Sequence, residues 1–549
     1  MRRRLPLMQI SCGLAMLFLS MSAPLSAAAA QTAAARAAEA ALPVAPDFAT
    51  RSSGKHLSVV DFPAPRRFVT QHEMMIRGKK VAYNATAEET YITNIEGEPV
   101  GRFFTFAYVR NGPVDRNRPV LFVFNGGPGS ASLWLQMGAL GPQRAFLDKD
   151  VNPSSVPPFG LLDNGDSPLD VTDLVFIDPI GTGFSHAVGT AEDADFAGVD
   201  ADADSVARFI EAWLSRNGRY GSPKFVLGES YGGYRAALLP RALMGGLAYG
   251  GTMRGITLDG VIIVGSPLSA GASKPAAAES VNRAVASLIP GMAVTAHYHH
   301  LLPDTGKSVA EIYDEAAAFA RKDYAEAVYR MRQGTLEQAE LRTIADRLAQ
   351  YTAVPADLWI SNKLEINQPQ YGALALSGSD LVVGLYDSRY TLPARHSGGD
   401  FVADDPAMAQ YVPGIIAGFH EMLKDQLKVE MPMPYEAIVW EGVFSRWDSR
   451  RLTARPTQTY ADDLAIAMRR QPRMQVMMMS GYYDLLATPM AMADAAEQAG
   501  LPTDRLVSRV FESGHMSYLG GTAPAFAEDI RQFIVNMVQG RTAPVADGE

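Results

Sequence analysis

The chain holds a single cysteine, Cys12, in 549 residues. A lone cysteine closes no intrachain disulfide and builds neither a cysteine-ligated metal centre nor a paired-thiol redox site. Excess basic charge is also lacking. Lys and Arg number 49 against 59 Asp and Glu, a net charge of -10. That balance argues against a nucleic-acid partner, which requires a basic face. The N-terminal apolar run is short. It follows Arg2-Arg3-Arg4, passes through Leu14, Met16, Leu17, Phe18 and Leu19, and gives way to Ser26-Ala-Ala-Ala-Ala30. This is the order of a secretory signal peptide, expected over residues 1–29, and it is preferred to a transmembrane anchor. No stable membrane anchor is then expected after cleavage. The arginines also fit a twin-arginine route. A lipoprotein cysteine would follow the apolar stretch, whereas Cys12 precedes most of it. The mature chain is therefore expected to be free of cysteine, which suits a bacterial envelope protein, in the periplasm, that relies on its core.

Residues 30–55 are rich in Ala and Pro without apolar periodicity, and read as a flexible linker. Glu73 to Tyr83 reads as two strands about a glycine turn, and Arg102 to Val109 as a third. Pro119 to Phe124 and Asp173 to Asp178 are continuous apolar runs, the pattern of strands buried on both faces. Val206, Phe209, Ile210 and Trp213 give one apolar helix face. Strands follow at Phe225 to Gly228 and Leu258 to Gly265, then at Met474 to Met479 and Leu506 to Phe511. Alternating strands and helices predict an α/β chain with a mostly parallel central sheet flanked by helices. Its core is expected in two parts, residues 56–268 and 435–540. Between them, residues 269–434 predict a mainly helical cap insertion. Ser308-x-x-Glu311 and Thr335-x-x-Gln338 read as capping boxes, and Gly334 as a helix stop. Residues 541–549 predict a disordered tail.

Chemistry concentrates at Gly228-Glu-Ser-Tyr-Gly232, a G-x-S-x-G pattern between a strand and a helix. The pattern stands Ser230 clear of a tight turn, with the Tyr231 amide beside it. In the loop Asn125-Gly-Gly-Pro-Gly129, Gly127-Pro-Gly129 lacks the third glycine, at the right spacing, of a dinucleotide loop. It suits an oxyanion-binding loop instead. Asp484 and His515 each follow a strand, and the order Ser230, Asp484, His515 is that of the α/β-hydrolase triad. Ser230 is too weak an acid to attack unaided; His515 takes its proton, and Asp484 holds the imidazole tautomer. His297, His299 and His300 lack a carboxylate in a ligand pattern and read as a polar helix turn rather than a metal site. No cofactor or metal is expected. Tyr435, Trp440, Phe444 and Trp447 suit core packing better than a pocket.

Five stretches resemble the serine carboxypeptidases: Asn125-Gly-Gly-Pro-Gly129, Asp178-Pro-Ile-Gly-Thr-Gly-Phe-Ser185, Gly228-Glu-Ser-Tyr231, Gly481-Tyr-Tyr-Asp484 and Ser513-Gly-His-Met516. The resemblance implies an α/β-hydrolase fold and a triad of Ser230, Asp484 and His515. It also implies oxyanion amides at Gly127 and Tyr231, with a substrate carboxylate bound by Asn125, Gly126 and Glu229. It implies an exported enzyme that cleaves C-terminal residues from peptides with a free C-terminus through an acyl-enzyme. An esterase or acyltransferase on the same triad is the alternative; a non-catalytic binding module fits poorly with an intact triad. Two departures stand out. The disulfides usual in the family are impossible here. Ala139, in Gly138-Ala-Leu-Gly-Pro142, also stands where the family usually has a second glutamate. Without that like charge, Glu229 is expected to protonate less readily. The helical insertion is expected to shape substrate choice.

Overall fold

The computed structural model describes residues 62–246, 249–269, 283–395, 398–451 and 458–540. The expected signal segment, the linker and the 541–549 tail lie outside the described residues.

Strands β1 (Arg67–Ile76), β2 (Lys79–Thr93) and β3 (Pro99–Arg110) form an antiparallel entry to the sheet. β4 (Val120–Phe124), β5 (Asp173–Ile177), β6 (Lys224–Glu229), β7 (Gly260–Val264), β8 (Gln475–Gly481) and β9 (Leu506–Phe511) continue it. The order across the sheet is β1-β2-β3-β5-β4-β6-β7-β8-β9. β3 meets β5 antiparallel, and every later pair is parallel. The parallel strands end at one edge, where ligands bind in sheets of this kind.

Alternation along the strands divides the core between the two faces. Val120 and Phe122 pack with helices α1 (Val199–Arg216), α2 (Tyr231–Met244) and a later one at Tyr460–Arg470. Leu121 and Val123 pack on the other side with Ile530 and Phe533, from the C-terminal helix at Ala523–Val538. The expected face of α1 is buried as the periodicity implies: Val206, Phe209, Ile210 and Trp213 all lie in the core. Each large apolar side chain so buried contributes roughly 1.5–3 kcal/mol.

Between β7 and β8 the described chain is mainly helical. It includes α3 (Leu288–Tyr298), α4 (Val309–Phe319), α5 (Ala325–Gln333), α6 (Gln338–Thr352) and α7 (Pro406–Glu421). Ser308 and Glu311 close the expected capping box at α4. Gly334 ends α5 in the left-handed region, φ 69°. The second capping box is not formed: α6 starts one residue after Glu337, with no side-chain cap. Thr335 is occupied by the preceding helix, since its amide donates to the Arg330 carbonyl at 2.9 Å and its hydroxyl to the same oxygen at 3.3 Å. That bond pattern finishes a helix at a left-handed glycine, and it won over the N-cap. Helices α3 to α6, with Tyr324, Trp359 and Tyr371 from neighbouring segments, form a separate core that takes in Tyr483 and Leu485 from beyond β8, whereas Met408, Tyr411, Ile415 and Phe419 of α7 join the Leu121 side of the sheet core.

The chain then returns along residues 435–439 to brace the loops after β4 and β5. The Ala131 amide donates to Ala437, Val439 to Gly129, and Gly183 and Glu436 exchange both backbone bonds. The Tyr435 hydroxyl donates to buried Asp178 at 3.0 Å. Burial pushes Asp178 up to about 6, against the hydrogen bonds from Ser132 and Tyr435. Among the described residues, no helix is long and apolar enough to cross a membrane.

Candidate active site

Ser230 sits between β6 and α2 with φ 58° and ψ -128°. A side-chain-bearing residue at positive φ stores strain, which the surrounding packing must hold. Here the neighbours are glycines because nothing larger fits. A Cβ on Gly228 would lie 1.9 Å from the Gly232 carbonyl oxygen, and one on Gly232 would lie 2.8 Å from that of Asn125. A Cβ on Gly126 would lie 2.4 Å from the Tyr231 amide nitrogen. The glycine loop after β4 is thereby pressed against the Ser230 turn. Tyr231 is the first residue of α2, so its N–H has no partner within the helix. Gly127, at φ 99°, places its own amide in the facing loop.

The adjacent strand ends bring the other two predicted residues. The Ser230 amide donates to Val264 at 2.9 Å, and the His515 ring lies against the following residue, Gly265. His515 Nδ1 donates to Asp484 Oδ2 at 2.8 Å. Asp484 is fully buried, and its other oxygen accepts the amides of Leu486 and Ala487 at 2.7 and 2.9 Å. Burial pushes His515 down, but the Asp484 charge and hydrogen bond, with the charges of Glu229 and Asp405, outweigh it and leave its pKa raised.

Glu229 is 2% exposed. Its Oε2 accepts from Asn125 Nδ2 and, at 3.0 Å, from the Tyr518 hydroxyl, while Oε1 is buried without a partner. Burial drives its pKa up to about 7, assisted by Asp484 and opposed by His515 and the Tyr518 hydrogen bond. The expectation from Ala139, that Glu229 protonates less readily, is therefore offset. Low solvation raises a carboxyl without any second acid at position 139. Ala139 itself is buried beside Gly138.

Sequence reasoning missed the segment that clamps the loops of Asp484 and His515. The Tyr386 carbonyl accepts the His515 amide at 2.6 Å, and the Ser388 amide donates to Tyr483 at 3.0 Å. Arg389 Nη1 donates to the Glu512 carbonyl at 2.7 Å while Asp387 holds its guanidinium. His299 Nε2 donates to the Ser388 carbonyl at 2.7 Å, so this histidine anchors the clamp to α3. Among the described residues, no group of three metal-ligating side chains is found. Of the four aromatics read as core, Tyr435 is buried, while Trp440 is 39% exposed. Trp447 packs edge-on against Tyr231, ring centres 4.7 Å apart. The short polar stretch Tyr386-Asp-Ser-Arg389 carries no periodicity, so no pattern would have found it.

A serine at a strained strand-to-helix turn, with a buried histidine–carboxylate pair beside it, defines the site of an α/β-hydrolase. The chain belongs to the serine carboxypeptidase family, whose model matches residues 80–363. It is 26% identical over 211 residues to Serine carboxypeptidase-like 36 of Arabidopsis thaliana, covering 34% of this chain and 41% of that protein. It is 27% identical over 205 residues to carboxypeptidase Y of Schizosaccharomyces pombe, covering 36% of this chain and 18% of that protein. These matches span less than half the length of either relative. Among solved structures it is similar to Kex1(delta)p, a prohormone-processing carboxypeptidase from Saccharomyces cerevisiae. The TM-score there is 0.47 at 16% identity, over 83% of this chain and 91% of that one. The family-model match includes the glycine loop and Ser230 and ends before Asp484 and His515.

Proposed function

We propose that this chain is an exported serine-type carboxypeptidase that releases C-terminal residues from peptides. The observation that carries the reading is Glu229, next to Ser230. It is a buried carboxyl raised to about 7, held by Asn125 on one oxygen and with the other unpartnered. A carboxyl raised this far keeps its proton through the acidic range up to about pH 7 and donates a hydrogen bond to a substrate carboxylate, which an ionised one would repel. Gly126 lets the loop backbone approach that same carboxylate.

With the peptide so placed, Ser230 Oγ attacks the last peptide carbonyl and passes its proton to His515 Nε2. Asp484 stabilises the imidazolium through Nδ1. The amides of Gly127 and Tyr231 receive the oxyanion. The C–N bond breaks as His515 hands its proton to the leaving amine. Water then attacks the ester, giving its proton to His515, and Ser230 leaves with a proton. Export draws on Arg2 to Arg4 and the apolar run that follows. The periplasm is the proposed location. The second reading, an esterase or acyltransferase, draws on Ala139, which leaves the carboxylate pocket short of the family's second acid. A panel of peptides with free and amidated C-termini, beside simple esters, tests the choice. Turnover that requires a free C-terminus supports the carboxypeptidase. Equal turnover of amidated peptides, or of esters alone, defeats it.

A further inference from the structure

The two oxygens of Glu229 are treated unequally. Oε2 accepts both Asn125 Nδ2 and the Tyr518 hydroxyl; Oε1 accepts nothing. A carboxyl with two donors aimed at one oxygen carries its proton on the other. Tyr518 comes from the loop just after His515 and is fully buried. Its ring lies on Gly138, where a Cβ would sit 2.3 Å from the ring carbon Cε2. That contact fixes the aim of the hydroxyl, and the next residue, Ala139, ends in a methyl group. The other titratable groups acting on or acted on by Glu229 are His515, Asp484, Tyr386 and Tyr411. None of these is hydrogen-bonded to it.

We propose that Tyr518 is the positioning residue of the carboxylate pocket: it directs the Glu229 proton to Oε1, where substrate meets it, and it sets the pH at which that proton is lost. The proposal rests on the carboxypeptidase reading above. In this chain a phenol thus tunes the carboxyl in a pocket where position 139 supplies no acid. Its hydroxyl favours the ionised form of Glu229, so it opposes burial and keeps the proton exchangeable near neutrality. Without it, Glu229 holds its proton to higher pH. Substrate binding then involves a hydrogen bond from Oε1–H to the peptide carboxylate, with no net proton transfer.

Tyr518→Phe keeps the ring on Gly138 and removes only the hydroxyl. The alkaline limb of peptide kcat/KM should move up by about one pH unit, the worth of one charge-assisted hydrogen bond. The change should fall on KM more than on kcat, and the ester profile should keep its shape. A structural lesion would lower both substrates without moving the limb. A second readout needs no peptide. The pH-dependent stability difference between wild type and Glu229→Gln is compared with that difference in a Tyr518→Phe background. The pH at which it levels off should rise by the same interval, and its midpoint by about half of it. A peptide limb or a stability midpoint that stays in place overturns the proposal. If wild type turns over no peptide, the carboxypeptidase reading falls, and the stability midpoint alone decides for or against Tyr518.

Discussion

Replacing Glu229 by Gln tests whether the carboxyl beside Ser230 is pushed toward its neutral form by the fold. Burial is the largest cause of its rise from an ordinary 4.5 to about 7. At ~1.4 kcal/mol per pH unit, that gap amounts to roughly 3 kcal/mol. The folded-state pKa is the higher one, so the associated stability is fully present below pH 4.5 and is lost as pH rises through about 7. Glutamine has no proton to lose. Its oxygen can accept Asn125 and Tyr518 while its NH2 takes the place of Oε1. The variant should therefore gain on wild type by roughly 3 kcal/mol between about pH 4.5 and about pH 7, with a plateau above. Asp178 and Asp405 are also raised, each to about 6, so both proteins lose the stability tied to them as pH rises through about 6. They are common to both, so they cancel in the difference. Urea unfolding from about pH 4 to about pH 8, with the slope on denaturant checked for constancy, reads the difference directly. A difference that stays flat across that range refutes the argument, because Glu229 would then titrate alike in folded and unfolded chains.

The same reasoning yields three further outcomes. Ser230→Ala should abolish labelling by a fluorophosphonate and lower kcat by roughly three to six orders of magnitude, while equal labelling of both proteins would remove Ser230 from the nucleophile's role. Arg389→Met strands the buried Asp387 carboxylate and loosens Glu512, so it should cost about 3–5 kcal/mol of stability and slow ester and peptide turnover together; an unchanged melting temperature would argue against the clamp. Replacing residues 269–434 by a short linker should extinguish ester and peptide activity alike, since Tyr386 and Ser388 hold the His515 and Asp484 loops, whereas a surviving esterase with altered selectivity would restore the view of the insertion as a mere specificity cap.

The sheet was readable because fully buried strands such as Val120–Phe124 and Gly260–Val264 are short apolar runs with glycines beyond them. The Ser230 turn was readable for a steric reason, since contacts below 3 Å at Gly228 and Gly232 forbid every other residue. Asp484 and His515 were placed by their positions after strands. Tyr518 and Arg389 were not legible. Their roles come from contacts across the chain, Tyr518 to Glu229 and Arg389 to Glu512, and no local period records such pairings. The Thr335 error has the same root. The residues fit a helix start, but the end of the preceding helix claimed them first. The raised Glu229 likewise reflects burial, which sequence gives only as an average.

The returning segment at residues 435–439 has a consequence for the order in which a newly made chain completes its site. The loop that carries Gly127 and Gly129 is braced by Ala437 and Val439, some three hundred residues later in synthesis (439 − 129 = 310). His515, the proposed base, arrives later still. A chain emerging N-terminus first can form the Ser230 turn early, yet it lacks both the bracing of the Gly127 loop and His515 until nearly the whole length has emerged. Contacts this distant in sequence also close slowly. A site assembled in this way cannot act on its own or neighbouring unfolded chains until nearly all of this chain has been made.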